Sequence, residues 1–145
     1  MKSATILPMI AASALLGSAS VFAAEDAGAR FTATLTGASE APGPGDPDGM
    51  GTATIRVNPG RGQVCYTISV SAIAPATMAH IHEAAVGVSG PVVVGLMAPT
   101  SGTSQGCVSV TRELAKEIIK NPSDYYVNVH NAEFRAGAVR GQLGR

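Results

Sequence analysis

From residue 31 onward the chain alternates apolar and polar side chains. Phe31, Ala33 and Leu35 alternate with Thr32, Thr34 and Thr36. Ala53, Ile55 and Val57 alternate with Thr52, Thr54 and Arg56, and Val64, Tyr66, Ile68 and Val70 alternate with Cys65, Thr67 and Ser69. A period of two sends successive side chains to opposite faces, which marks half-buried β-strands. Further strands are predicted over residues 78–83, 91–97, 106–110, 125–130 and 138–143. Their threonine, valine and isoleucine content suits a pleated surface. Turn-formers separate them: a long loop over residues 41–49 rich in proline and glycine, a hairpin connection at Asn58-Pro59-Gly60 before Gly62, and a turn over residues 99–102. One segment departs from the pattern. Residues 111–120 predict a short helix, with Thr111 as N-cap, Glu113 near its positive end and Lys120 near its negative end. Leu114, Ala115 and Ile118 form its apolar stripe, and Asn121-Pro122 stops it. The chain is therefore expected to be all-β, an antiparallel Greek-key-like β-sandwich of about seven to eight strands crossed by one short helix.

The first residues follow a different rule. Lys2 supplies a short positive region, residues 6–16 are mostly apolar, and Val21-Phe22-Ala23 has small residues at the −3 and −1 positions of a cleavage site. Residues 1–23 read as a cleaved secretory signal peptide, residues 24–29 as a short leader and residues 30–145 as one domain. The protein is thus expected to be exported, periplasmic or secreted. Removing Lys2 leaves nine of the ten basic residues against ten acidic ones. No basic run is present, so nucleic acid is not an expected partner, and no later stretch is apolar for long enough to span a membrane. An unknown protein partner stays open. Cys65 and Cys107 are the only cysteines. In an exported chain they are expected to form a disulfide, closing a loop of about 40 residues that contributes roughly 3 to 4 kcal/mol. A redox pair and thiolate metal ligands are the alternatives.

All three histidines lie in two strand-like patterns, Ala79-His80-Ile81-His82-Glu83 and Tyr126-Val127-Asn128-Val129-His130. His80 and His82 project from one face, and His130 joins them if the strands are neighbours. Met78 has the same parity. The metal reading takes His80, His82 and His130 as ligands and Met78 as a fourth. Glu83, Asn128 and Glu133 would orient a ring or supply an oxygen. Histidine nitrogen with thioether sulfur suits copper, particularly Cu(I), whereas three histidines alone suit zinc with one open position. The structural alternative is a hydrogen-bonded polar cluster of Tyr126, Asn128, His130 and Glu133 with His80 and His82, needing no metal. No catalytic residue is assigned, because no serine lies in a nucleophile-elbow pattern.

Together these pieces resemble the chordin-type domain, the CHRD family. They run in order: residues 31–37 with Glu40-Ala41-Pro42, then residues 51–55, Val64-Cys65-Tyr66, and residues 79–83. Gly90-Pro91-Val92-Val93, Gly106-Cys107-Val108 and Asn121-Pro122 follow, then residues 126–130 and Gly137 to Arg140-Gly141-Gln142-Leu143. The resemblance implies an extracytoplasmic all-β domain and no established activity. Members often carry a glycine soon after His-x-His and a Pro-x-Gly-Glu before Arg-Gly-Gln. Here Glu83-Ala84-Ala85 and Arg135-Ala136-Gly137-Ala138 stand in those places, so a site using that glutamate is incomplete. The His-x-His strand is also similar to the copper-binding strand of Cu,Zn superoxide dismutases. Their dinuclear site needs more histidines than the three this chain has. The expected role is a non-enzymatic binding or structural module. The second reading is a periplasmic copper- or zinc-binding protein, and the third a small metalloenzyme.

Overall fold

Each alternating segment becomes a strand whose apolar side faces a shared interior. The computed structural model describes residues 28–145, so the signal-like residues 1–23 and most of the short leader lie outside it. The strands are β1 (Ala29–Thr36), β2 (Met50–Asn58), β3 (Gln63–Ser71), β4 (Ala76–Glu83), β5 (Val92–Leu96), β6 (Thr103–Ser109), β7 (Tyr125–Asn131) and β8 (Val139–Gln142). Helix α1 (Arg112–Lys120) lies between β6 and β7. All pairings are antiparallel, in one sheet of order β5-β4-β7-β8-β1-β2-β3-β6. The sheet curls until it is nearly closed, and a cleft lined by Val93 and Val94 of β5, Ser109 of β6 and Leu114 of α1 marks the seam. The expected all-β antiparallel architecture with one helix is the observed one.

The interior holds Phe31, Leu35, Ile55, Val57, Val64, Ile68, Ile81, Val127, Val129 and Val139, all essentially free of solvent. Helix α1 adds Ala115 and Ile118. Thr111 caps it as expected, its hydroxyl accepting the Leu114 N–H at 3.2 Å. Strand β6 starts three residues earlier than the alternation predicts. Thr103, Ser104 and Gln105 carry no apolar rhythm, but their backbones still pair with Ser69, Ile68 and Thr67, because the ladder needs peptide groups rather than side chains. Cys65 and Cys107 face each other in the β3–β6 register and are disulfide-bonded. The bridge lies on the outer side of the sheet, with Cys107 exposed. Among the described residues no helix is long and apolar enough to cross a membrane.

Strand β7 sets the rest of the architecture. Every one of its residues is buried. Tyr125, Val127 and Val129 join the interior. Tyr126, Asn128 and His130 point the other way and form a second, polar layer on the outside of the sheet. Loops over residues 37–49, 84–90 and 132–138 cover that layer. Arg140 of β8, opposite Asn128, is 1% exposed. Gly141 is where β8 and β1 come closest, and a Cβ there would collide with the Thr34 carbonyl. The Arg-Gly-Gln tripeptide thus supplies a buried cation, a close backbone approach and a polar anchor in turn.

Glu40, on the first covering loop, is 8% exposed, and its Oε1 has no hydrogen-bond partner. Burial pushes its carboxyl up to about 7, while the Arg140 charge, the Ala41 backbone and the Asn128 amide pull the other way. The folded protein therefore holds a proton that the unfolded chain, with an ordinary value of 4.5, has released. That contribution is complete below about pH 4.5 and is lost as pH rises through 7. Glu40→Gln has no such loss. Between pH 4.5 and 8 its stability should gain on the wild type by an amount on the order of 3 kcal/mol, read from denaturant melts at both pH values. A pH-independent difference would refute the raised carboxyl. Replacing Cys65 and Cys107 together by serine should lower stability by about 4 kcal/mol at an unchanged far-UV spectrum, because the bridge closes a separation of 42 residues.

Candidate metal centre

The parity argument for His80 and His82 holds, and the register supplies the third ring. Strand β4 pairs with β7 so that Met78 faces His130, His80 faces Asn128 and His82 faces Tyr126. One ligating nitrogen from each of His80, His82 and His130 lies within 4.8 Å of the others. The ring centroids of His80 lie 5.4 Å from those of His82 and 5.0 Å from those of His130. His82 and His130 are 8% and 7% exposed, and His80 is half-buried.

Two backbone carbonyls orient the rings. His82 donates its Nδ1–H to the Gly90 carbonyl at 2.8 Å, and His130 donates its Nδ1–H to the Arg135 carbonyl at 2.9 Å. A neutral imidazole carries one proton, so both Nε2 atoms are left as bare acceptors. The His130 Nε2 lies 3.1 Å from the His80 Nδ1. The His82 Nε2 is buried with no partner at all. Burial lowers the pKa of His80, and His130 and His82 add to the effect. Burial also lowers that of His130; the Arg135 carbonyl opposes this and His82 reinforces it. Neutral imidazole is the form that binds a metal, and the downward shifts at His80 and His130 favour it.

The carbonyls are themselves held in place. Asn131 Oδ1 accepts the Glu133 and Phe134 N–H groups at 3.1 and 2.7 Å, folding the turn that brings Arg135 back over His130. The Gly90 N–H donates to the Tyr126 hydroxyl at 3.2 Å. A Cβ on Gly90 would run into the Glu83 backbone. Arg140 donates to the Val88 and Ala85 carbonyls at 2.8 and 2.9 Å, and Gln142 to the Ala84 carbonyl at 2.7 Å. The Tyr126 ring stacks on His82, with centroids 4.8 Å apart and planes 7° from parallel. The Arg140 Cζ lies 3.4 Å from the centroid of the same ring. The loop over residues 84–90 is thus tied to the sheet by four of its own carbonyls.

The other expected site residues are placed as follows. Met78 is 47% exposed, opposite His130. Asn128 is 2% exposed, with its Oδ1 unpartnered and its amide hydrogen-bonded to Glu40. Glu83 is exposed at the end of β4, where its charge acts on Tyr125. Glu133 is exposed and engages Asn131 through its backbone. Ala138 brings no carboxylate to the layer, and Glu40, on the first covering loop, is buried against it. Asn131, Arg140, Glu40 and the Gly90 and Arg135 carbonyls carry no signal in a search for ligating side chains. Only the Asn131 position, directly after His130, hints at a turn.

An open concavity of about 600 Å³ lies elsewhere, lined by Arg30, Arg56 and the Cys65–Cys107 bridge. It shares no lining residue with the histidine cluster. No curated protein and no solved structure matches the chain. Residues 31–143 match the CHRD domain family, from the first strand through the Arg-Gly-Gln tripeptide, and the chain belongs to that family.

Proposed function

We propose that this CHRD-domain protein is an exported, non-enzymatic binding module whose ligand is a copper or zinc ion held by His80, His82 and His130. One observation carries the reading: the His82 Nε2 is buried without a hydrogen-bond partner, while the Nδ1 of the same ring is engaged by the Gly90 carbonyl. An unsatisfied buried acceptor costs about 1–3 kcal/mol, and a cation shared with His80 and His130 removes that cost. Three imidazoles leave a further coordination position open. Before the ion arrives, the 3.1 Å contact between His80 and His130 is a hydrogen bond; ligation replaces it. Carbonyl partners on the two Nδ1–H groups hold the rings for the ion, a common feature of histidine–metal sites.

Export is supported by the signal-like residues 1–23 and by the disulfide, a bond that persists in oxidising compartments. On this reading residues 24–29 are a leader and residues 30–145 the working domain.

The full mature chain should take up about one copper or zinc ion, measured by elemental analysis after desalting. Melting temperature should rise with ion concentration, corresponding to about 2.7 kcal/mol at a hundredfold excess over Kd. His80→Ala with His82→Ala should abolish both effects. An unchanged melting temperature and no retained ion in the wild type would sink the metal reading and leave the cluster as a purely structural one.

A further inference from the structure

The metal-binding reading leaves the charge of the ion open, and the surroundings of the histidines bear on it. Among the described residues the cluster contains three histidines and no aspartate, glutamate or cysteine. Every donor is a neutral nitrogen, so the ligands cancel none of the ion's charge. Behind His82 stands a fixed cation. The Tyr126 ring is 4.8 Å from the His82 ring, and the Arg140 guanidinium lies 3.4 Å from the same Tyr126 ring. Arg140 is almost completely buried. Glu40, a buried carboxyl of the covering loop, is attracted by the Arg140 charge and hydrogen-bonded by Asn128.

A dication in this place is repelled by Arg140 twice as strongly as a monocation. The cost of taking an ion out of water rises with the square of its charge, so a dication also pays about four times as much on burial. Zinc and cupric sites usually offset these costs with an anionic ligand or a bound hydroxide. The half-buried side of the cluster offers something else. Met78 lies opposite His130, on the same face as His80 and His82, with its side chain 47% exposed. Thioether sulfur is a soft donor that favours cuprous copper and adds little for zinc.

Resting on the metal-binding reading, we propose that the ion is cuprous copper, Cu(I), bound by His80, His82 and His130 with the Met78 thioether at the mouth of the site. The site then takes an ion already in its reduced state, and no redox step is required of the protein.

The mature chain should be titrated without oxygen with Cu(I) against a chromogenic cuprous chelator, and separately with Zn(II) and Cu(II) against competitors of known affinity. One Cu(I) per chain is expected, with a Kd at least about tenfold below those for Zn(II) and Cu(II). Met78→Leu, at an exposed position that the fold tolerates, should weaken Cu(I) by about tenfold or more and leave Zn(II) within about twofold. Equal or tighter binding of either dication would overturn the cuprous assignment while leaving the metal site intact. Unchanged Cu(I) affinity in Met78→Leu would remove the thioether from the site. Failure to bind any of the three ions would overturn the metal-binding reading itself.

Discussion

A strand buried on both of its faces needs two different solutions to burial, and β7 imposes that constraint on this molecule. Inward, Tyr125, Val127 and Val129 join an ordinary apolar core. Outward, Tyr126, Asn128 and His130 need partners, because a polar atom taken from water and left unpaired carries a cost. The covering loops supply many of those partners through their backbones. The Gly90 and Arg135 carbonyls take the two imidazole N–H groups, and the Ala85 and Val88 carbonyls take the guanidinium. Loop conformation and site geometry are therefore one problem. The loop over residues 84–90 is in place because Arg140 and Gln142 hold it, and His82 is aimed because that loop is in place.

Those parts that obey a period were legible in the chain itself. Alternation gave the inner faces of β1, β2 and β3, and the shared face of His80 and His82 followed from the same rule. The helix was legible from its cap and its stop, both local features. The neighbouring position of His130 was legible only as a condition. Pairing of β4 with β7 joins strands some 50 residues apart in sequence, and nothing in either strand names its partner. The orienting groups were not legible at all. A backbone carbonyl has no residue type, so no motif announces that Gly90 and Arg135 will supply one. Glu83 and Glu133 are the carboxylates close in sequence to the histidines and both are exposed, while Glu40, 40 residues before His80, is buried in this layer.

The two layers divide the energetic demands. The inner core is apolar, and a disulfide ties β3 to β6, a strand pair that carries none of the histidines. It can sustain an outer layer that is not fully satisfied. The His82 Nε2, the Asn128 Oδ1 and the Glu40 Oε1 are all buried acceptors without a donor, each a cost of about 1–3 kcal/mol. A layer selected for stability alone would fill these positions with apolar side chains or complete the pairs.

These unsatisfied groups are not equivalent. The Glu40 carboxyl can meet its own need by taking a proton, which is what a value of about 7 describes. Asn128 can exchange the ends of its amide without changing charge. His82 has neither escape. Its Nδ1–H is committed to the Gly90 carbonyl at 2.8 Å, and its ring is packed against Tyr126 with Arg140 on the same aromatic ring. Only a group arriving from outside with an empty orbital or a donor hydrogen relieves it. Two more imidazoles offer a nitrogen within 4.8 Å, joined to each other by the 3.1 Å contact between the His80 Nδ1 and the His130 Nε2. A donor hydrogen would satisfy that one nitrogen, whereas a metal ion would engage all three imidazoles together, and that difference is why a metal is the ligand proposed for this layer.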